Sequence, residues 1–157
     1  MRNKELKIIK IRGITLIELL VALSIFVIVS AVAVVYLNPV GQFSKARNSQ
    51  RELHLQGLMV AIRDNIAEGK GTFTCAAGAI PTSTKRMAID AVNYDIASCI
   101  VPTYLTTLPF DPSTSSARYV SNTDYDTGYF ILRNASSGAI TLSAPAAELG
   151  KIISITR

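Results

Sequence analysis

The hydrophobic pattern of the chain begins with one long apolar run. Residues 14–37 are almost entirely aliphatic or aromatic and contain a single charged residue, Glu18. A helix rises about 1.5 Å per residue, so this run would extend about 36 Å, more than the roughly 30 Å of a bilayer core. The pattern therefore predicts a transmembrane helix over 14–37.

A second helical pattern follows a short interruption. Pro39 and Gly41 predict a helix break or kink, because proline cannot donate a backbone hydrogen bond and glycine is a weak helix former. Polar residues then occupy much of one side, and residues 38–71 are interpreted as the amphipathic second half of the helix, ended by Gly69 and Gly71. The apolar positions assigned to its packed face are Phe43, Ala46, Leu53, Leu58, Ala61, Ile62 and Ile66.

From residue 72 onward the pattern changes to short segments. "ARYVSN", "GYFILRN" and "AITLSAP" predict three strands, with "TDYDTG" and "ASSG" as the turns between them, and "KIISITR" predicts a fourth. The shortness of these two turns implies that the strands they join are antiparallel neighbours. "TKRMAIDAVNYDIASCI" favours a short helical turn. The predicted fold class is α+β: a long N-terminal helix, membrane-spanning in its first half, packed against a small antiparallel sheet in a globular head over 72–157.

The net charge of +5 is concentrated at the N-terminus. Residues 1–13 contain five basic residues and one acidic residue, a net of +4, which leaves +1 for the other 144 residues. A basic tag before an apolar run is typical of a targeting signal, and the positive-inside rule places it in the cytoplasm and the head outside. The charge therefore does not favour nucleic acid as a partner.

The two cysteines, Cys75 and Cys99, both fall in the predicted exported part. Exported cysteine pairs usually form disulfides, whereas cytosolic ones usually remain free thiols. The sequence therefore predicts a disulfide between them.

The start of the chain carries the most specific motif. A basic leader ends at Gly13 and is followed by Ile14, Thr15, Leu16, Ile17, Glu18 and Leu19 and the apolar run. This arrangement resembles type IV pilins and type II secretion pseudopilins, and "YLTTLPFDP" (residues 104–112) resembles the Leu-Pro-x-Asp-Pro region of pseudopilin-like heads.

The resemblance implies a processing and assembly pathway. A prepilin peptidase would cleave between Gly13 and Ile14, removing a leader of residues 1–13, and Ile14 would be N-methylated. Glu18 would then attract the positive N-terminus of a neighbouring subunit. A desolvated carboxylate needs such a cation, which supports the pairing on physical grounds.

Other candidate chemistry is weak. Asp124 and Asp126 in "DYDTG" are calcium candidates, but a hairpin turn is the favoured interpretation because a calcium site needs about six oxygen ligands. A single histidine, His54, gives neither a zinc cluster nor a Ser-His-Asp set. Inter-subunit pairing or solvation explains basic residues such as Arg47 and Arg51 better than DNA contact. The sequence therefore predicts no enzyme and no cofactor.

The leading functional hypothesis is a prepilin, the precursor of a structural subunit of a type IV pilus or related filament. Its expected partners are copies of itself, the prepilin peptidase, the assembly machinery and the inner membrane, from which the head would enter a periplasmic or extracellular filament. Two alternatives remain open: a pseudopilin of a type II secretion or competence machine, and a monomeric, membrane-anchored, extracytoplasmic binding module.

Overall fold

The computed structural model describes residues 13–157. The chain divides into two compact units, Met1–Pro39 and Val40–Arg157. Residues 1–12 of the predicted leader lie outside the described residues.

The described residues form three helices and one antiparallel sheet. The sheet order is β1-β3-β4-β5, and β2 also pairs with β3, so that β3 is the strand to which most of the sheet is joined. The predicted α+β class is confirmed. The elements are α1 (Leu16–Leu37), α2 (Pro39–Glu68), β1 (Lys85–Ala88), α3 (Ala97–Ile100), β2 (Arg118–Ser121), β3 (Asp124–Arg133), β4 (Ile140–Ala144) and β5 (Ile153–Thr156).

The interruption between the first two helices lies at Asn38, one residue before the predicted position. Asn38 has a left-handed backbone with φ 42°, and Pro39 is the first residue of α2. Proline disfavours the helical conformation in the residue before it, and asparagine tolerates the left-handed one. Gly41 lies inside α2, so the prediction that it contributes to the break is wrong. One glycine costs a helix only about 1 kcal/mol, too little to end it.

One hydrophobic core holds the second unit together. Leu55, Leu58 and Ile62 on α2 belong to the same buried cluster as Tyr129 and Leu142 on the sheet. Only some of the residues predicted to lie on the packed face of α2 are buried. Leu58, Ala61 and Ile62 are buried, but Phe43 and Leu53 are 64% and 66% exposed. The true inner face contains polar side chains, which a search for apolar periodicity passes over.

The segment "DYDTG" is part of a strand, and its interpretation as a hairpin turn is wrong. It forms the first half of β3, with Tyr125, Thr127 and Tyr129 all buried. The turn lies earlier, at Asn122 and Thr123. Aspartate and glycine normally mark turns, but here the alternating inward-facing side chains outweigh that local preference.

A second difference concerns the segment 84–100, for which only a helical turn was predicted. It contains that turn as α3, but it also contributes β1, which pairs with β3. The strand was missed because only four residues form it, and their pairing partner lies about 40 residues further along the chain.

Candidate functional site

The segment around the predicted cleavage point precedes the first helix. Gly13, Ile14 and Thr15 are non-helical, and Ile14 is 76% exposed. Thr15 is the N-cap of α1, and its hydroxyl accepts a hydrogen bond of 3.2 Å from the backbone N–H of Glu18. This cap satisfies one of the free donors at the helix start. The Gly13–Ile14 peptide bond therefore lies outside the helix.

Space around Gly13 is open. A Cβ atom built on this residue meets no atom within 4 Å. Nothing in the described chain therefore requires glycine at this position.

The first helix is apolar on all sides. None of its residues is buried in the described chain, and its length and composition are sufficient to cross a membrane. An amphipathic surface helix would have a polar face, and α1 has none. Such a surface indicates contact with lipid or with other apolar helices, so the helix is compatible with membrane anchoring.

Glu18 lies in the first turn of α1 and is its only charged residue. Its carboxylate has no ion-pair partner among the described residues. The structure thus brings Gly13, Ile14 and Glu18 together at one end of an exposed apolar helix.

The cysteines are joined. Cys75 and Cys99 form a disulfide with a Cα–Cα distance of 4.9 Å, in agreement with the sequence analysis. The bond ties the segment after α2 to α3. Both residues pack against the hydrophobic core.

A polar cluster, which we call the Arg51 clamp, joins α2 to two loops of the head. It comprises Ser44, Arg47, Asn48 and Arg51 on α2, with Asp111, Ser113 and Glu148 on the loops. Arg51 donates to both carboxylate oxygens of Asp111, at 2.7 and 3.1 Å. Both side chains of this pair are fully buried.

Glu148 completes the clamp from the loop between β4 and β5. Its carboxylate accepts hydrogen bonds from Arg47 at 2.7 and 2.6 Å and from Arg51 at 3.0 Å. Its backbone is also held, because its N–H donates to Asn48 and its C=O accepts from Asn48. This loop is therefore fixed to α2 through both side-chain and main-chain atoms.

The clamp shifts the acidity of its carboxyl groups. The hydrogen bond from Arg47 lowers the pKa of Glu148 to about 2, although partial desolvation opposes the shift. Burial raises the pKa of Asp111, but the hydrogen bonds from Arg51 and from the backbone N–H groups of Ser113 and Thr114 outweigh burial and hold this pKa below its ordinary value. Both carboxylates are thus stabilised in their charged form.

The clamp is not apparent in the sequence pattern. Composition favours solvation or inter-subunit pairing for Arg51, whereas the structure buries this residue inside its own chain. The one available signal was Asp111 between Pro109 and Pro112, a charged residue in an apolar, rigid segment. Asp111 also lies against β3, since a Cβ on Gly128 would be only 2.9 Å from the Cβ of Asp111.

The residues considered as calcium ligands or catalytic groups, Asp124, Asp126 and His54, contact other side chains of the same chain. Asp124 accepts from Arg118 at 2.6 Å, and Asp126 accepts from Arg86 at 2.6 Å. In the part of the chain that the structure describes, no group of three or more His, Cys, Asp or Glu side chains is arranged to hold a metal ion. His54 Nδ1 lies 2.8 Å from the Tyr129 hydroxyl, and desolvation lowers the pKa of this histidine.

Comparison with known proteins supports the interpretation of the N-terminus. Residues 9–34 match the prokaryotic N-terminal methylation motif. Comparisons with curated proteins and with solved structures gave no match. The matched motif is structural rather than enzymatic, and it implies processing by a prepilin peptidase and assembly in a pilus or secretion system. By this motif, which overlaps the exposed apolar helix α1, the chain carries the class III signal of type IV pilins and pseudopilins.

Proposed function

We propose that the chain is a prepilin, the precursor of a structural subunit of a type IV pilus or related filament. The observation that carries this proposal is α1, an exposed and predominantly apolar helix whose one charged residue, Glu18, lies near its start. In this proposal residues 1–13 are a cytoplasmic leader, 14–37 the membrane and filament-core segment, 38–71 the second half of the helix and 72–157 the exported head. The subunit has no catalytic role.

The apolar surface of α1 supports assembly. Lipid covers such a helix before assembly, and the same helices of other copies cover it in a filament core. Between apolar helices, association depends on packing and on polar contacts, since lipid tails are as apolar as leucine. A specific polar contact is therefore valuable in such a core.

Glu18 supplies that contact in our proposal. Cleavage between Gly13 and Ile14 creates an α-amino group, whose ordinary pKa of about 8 keeps it largely protonated at neutral pH. A carboxylate at membrane depth is costly unless it is paired. Pairing of Glu18 with the new N-terminus of a neighbouring copy removes that cost only when subunits stack. N-methylation of Ile14 retains the positive charge.

Processing is tested by substituting Gly13. Because a Cβ at this position meets nothing within 4 Å, we expect Gly13→Val to leave α1 and the second unit undisturbed. We expect wild-type protein purified from cells to lack residues 1–13 and the variant to retain them, as measured by intact mass. Gly57→Ala is the matched control, because its Cβ also meets nothing and it lies far along the chain in α2. Loss of the leader from Gly13→Val would overturn the proposed cleavage site.

Assembly is tested by substituting Glu18. We expect Glu18→Ala to be processed normally but to give at least about tenfold less pelletable filament, since a buried charge pair is lost. Ser24→Ala is the control on the same helix, because this serine only donates to the Leu20 carbonyl. Wild-type amounts of filament from Glu18→Ala would remove the charge pairing from the proposal.

The second candidate function is a pseudopilin of a type II secretion or competence machine. It is favoured by the Leu108–Pro112 region, whose Asp111 the structure buries against α2. Both candidates predict a processed N-terminus, but they differ in product. Long surface filaments support the pilin, whereas short periplasmic filaments and a secretion defect on deletion support the pseudopilin. The remaining alternative, a monomeric anchored module, predicts an intact Met1 and no filament at all.

A further inference from the structure

A cavity of about 410 Å³ opens on the second unit, away from the Arg51 clamp. It lies between α2, the segment that follows it and the ends of β3, β4 and β5. Its lining includes the apolar side chains of Met59, Ile66, Phe73, Ile80 and Ile140. The volume is in the range of small-molecule sites, which are about 300–1,000 Å³ and mostly apolar with a few polar groups.

Three arginines line the same cavity: Arg63, Arg133 and Arg157. The lining contains no aspartate or glutamate. Among the described residues, no carboxylate lies within 4.0 Å of any of the three guanidinium groups. The cavity is therefore apolar at its wall and bordered by three exposed arginines.

This distribution of arginines sets the cavity apart from the rest of the described chain. Residues 13–157 contain seven arginines. Four of them, Arg47, Arg51, Arg86 and Arg118, form ion pairs with carboxylates. The three without a carboxylate partner all line this cavity. All three are exposed, so an anion can reach their side chains from solvent.

The backbone holds two of these arginines in place. The N–H of Arg133 donates to the carbonyl of Pro81 at 2.8 Å. Arg157 and Ile140 exchange two hydrogen bonds, of 2.7 and 3.0 Å, which fix the end of the chain beside β4. Arg63 is carried by α2 itself, one helical turn from Met59. The cavity therefore has a preformed frame, and only the arginine side chains need to adjust to a ligand.

We propose that this cavity binds a small compound in which a carboxylate or phosphate group is attached to an apolar body. Guanidinium groups form paired hydrogen bonds with the oxygens of carboxylates and phosphates, and they lose less on desolvation than an ammonium group. The apolar wall removes the body of the ligand from water. This binding site lies within the second unit and does not depend on the proposed filament role.

Binding is tested on the full chain in lipid nanodiscs, with methyl-labelled methionine and isoleucine observed by NMR. The probes are benzoate and phenyl phosphate, which share an apolar ring and differ in the acid group. We expect saturable shifts of the Met59, Ile80 and Ile140 methyl signals with at least one probe, and the tighter of the two identifies the preferred acid group. Phenol has the ring without the charge, and inorganic phosphate has the charge without the ring. Both should bind at least about tenfold more weakly, as expected when one kind of contact is lost.

Single variants test the role of the charges. Arg63→Gln, Arg133→Gln and Arg157→Gln should each raise the Kd of the preferred probe by about tenfold, the typical effect of losing one hydrogen bond to a charged group. Arg118→Gln removes the same charge from an exposed ion pair outside the cavity and should change Kd less than twofold. Unchanged melting temperatures exclude unfolding as the cause.

Three results would overturn the proposal. They are the absence of saturable shifts with both acids, equal binding of phenol, and equal loss of affinity in Arg118→Gln. The experiments on Gly13 and Glu18 measure processing and assembly, so a negative result there is distinguishable from the absence of ligand binding at this cavity.

Discussion

The two long helices are consecutive in the chain but use polar and apolar side chains in opposite ways. In α1 the apolar side chains are exposed, and the only charge, Glu18, has no ion-pair partner among the described residues. In α2 the inner face buries Ser44, Asn48, Arg51 and Asn65 together with Leu55 and Leu58. The second helix therefore satisfies its polar groups within its own chain, whereas the first requires another molecule to cover it.

This contrast shows that hydrophobicity and burial are separate properties. A buried charge is tolerated in α2 because Asp111 and Glu148 surround Arg51 with carboxylate oxygens. An exposed apolar surface is tolerated in α1 only if the surroundings are not water. Intramolecular hydrogen bonds stabilise the polar groups of α2, whereas the apolar surface of α1 needs lipid or other apolar helices around it.

The largest effect is expected when the buried charge of α2 is removed. Arg51→Met should lower the free energy of unfolding of the second unit by about 3–5 kcal/mol, because Asp111 is left buried without its partner. Urea unfolding followed by tyrosine fluorescence measures the loss. Arg118→Met is the matched control and should cost less than about 1 kcal/mol, since its ion pair with Asp124 is exposed. Equal losses in the two variants would show that burial of the clamp contributes nothing.

The next test makes the same substitution in both helices. Leu58→Ala should cost about 2–5 kcal/mol, because Leu58 is fully buried and its loss leaves a cavity. Leu23→Ala, at a position 52% exposed in α1, should leave the unfolding of the second unit unchanged. Urea unfolding of the two variants, in the same detergent, makes the comparison. A matching loss in Leu23→Ala would mean that α1 supports the core of the second unit.

The smallest expected effect is a loss of folding stability at low pH. The pKa of Glu148 falls from 4.5 to about 2 on folding, so its stabilising contribution is present above about pH 4.5 and is lost as the pH falls toward 2. The lowered pKa of Asp111 acts in the same direction. The effect of Glu148 is modest because this side chain is partly exposed and solvent screens it.

Thermal unfolding at pH 7 and pH 3 measures this dependence. We expect the melting temperature of the wild type to fall on acidification and that of Glu148→Gln to fall less. Glu52→Gln, which removes an exposed ion pair with Lys151, serves as the control and should follow the wild type. Parallel curves for wild type and Glu148→Gln would exclude a role of this carboxylate in the acid response.

Much of the N-terminal half was predictable from local sequence. The length and composition of 14–37 are sufficient to indicate a membrane-length helix, since no tertiary contact is needed to form it. Gly13 and Glu18 were recognised by their spacing and position at the chain start. The disulfide was predicted from two cysteines in a segment expected to be exported, and the sequence contains no third cysteine.

The head was predictable only in outline. The strands around residues 118–156 were recognised from β-branched and aromatic residues, but "DYDTG" was assigned to a turn because its composition suggested one. Its strand conformation depends on β1 and β2, which flank it in the sheet and lie earlier in the chain. The packed face of α2 was misjudged at Phe43 and Leu53 for a related reason, since polar residues occupy part of the real inner face.

By itself the sequence determined the features that depend on neighbouring residues: the apolar helix, its signal and the α+β class. Only the tertiary structure decided which charges are buried, because Arg51 meets Asp111 from 60 residues away and Glu148 from 97 residues away. It also brought Arg63, Arg133 and Arg157 around one cavity whose lining contains no aspartate or glutamate. Pattern and composition report the preference of each residue for water or apolar surroundings. They do not report which distant partner satisfies a buried charge, and that partner determines whether burial is stable.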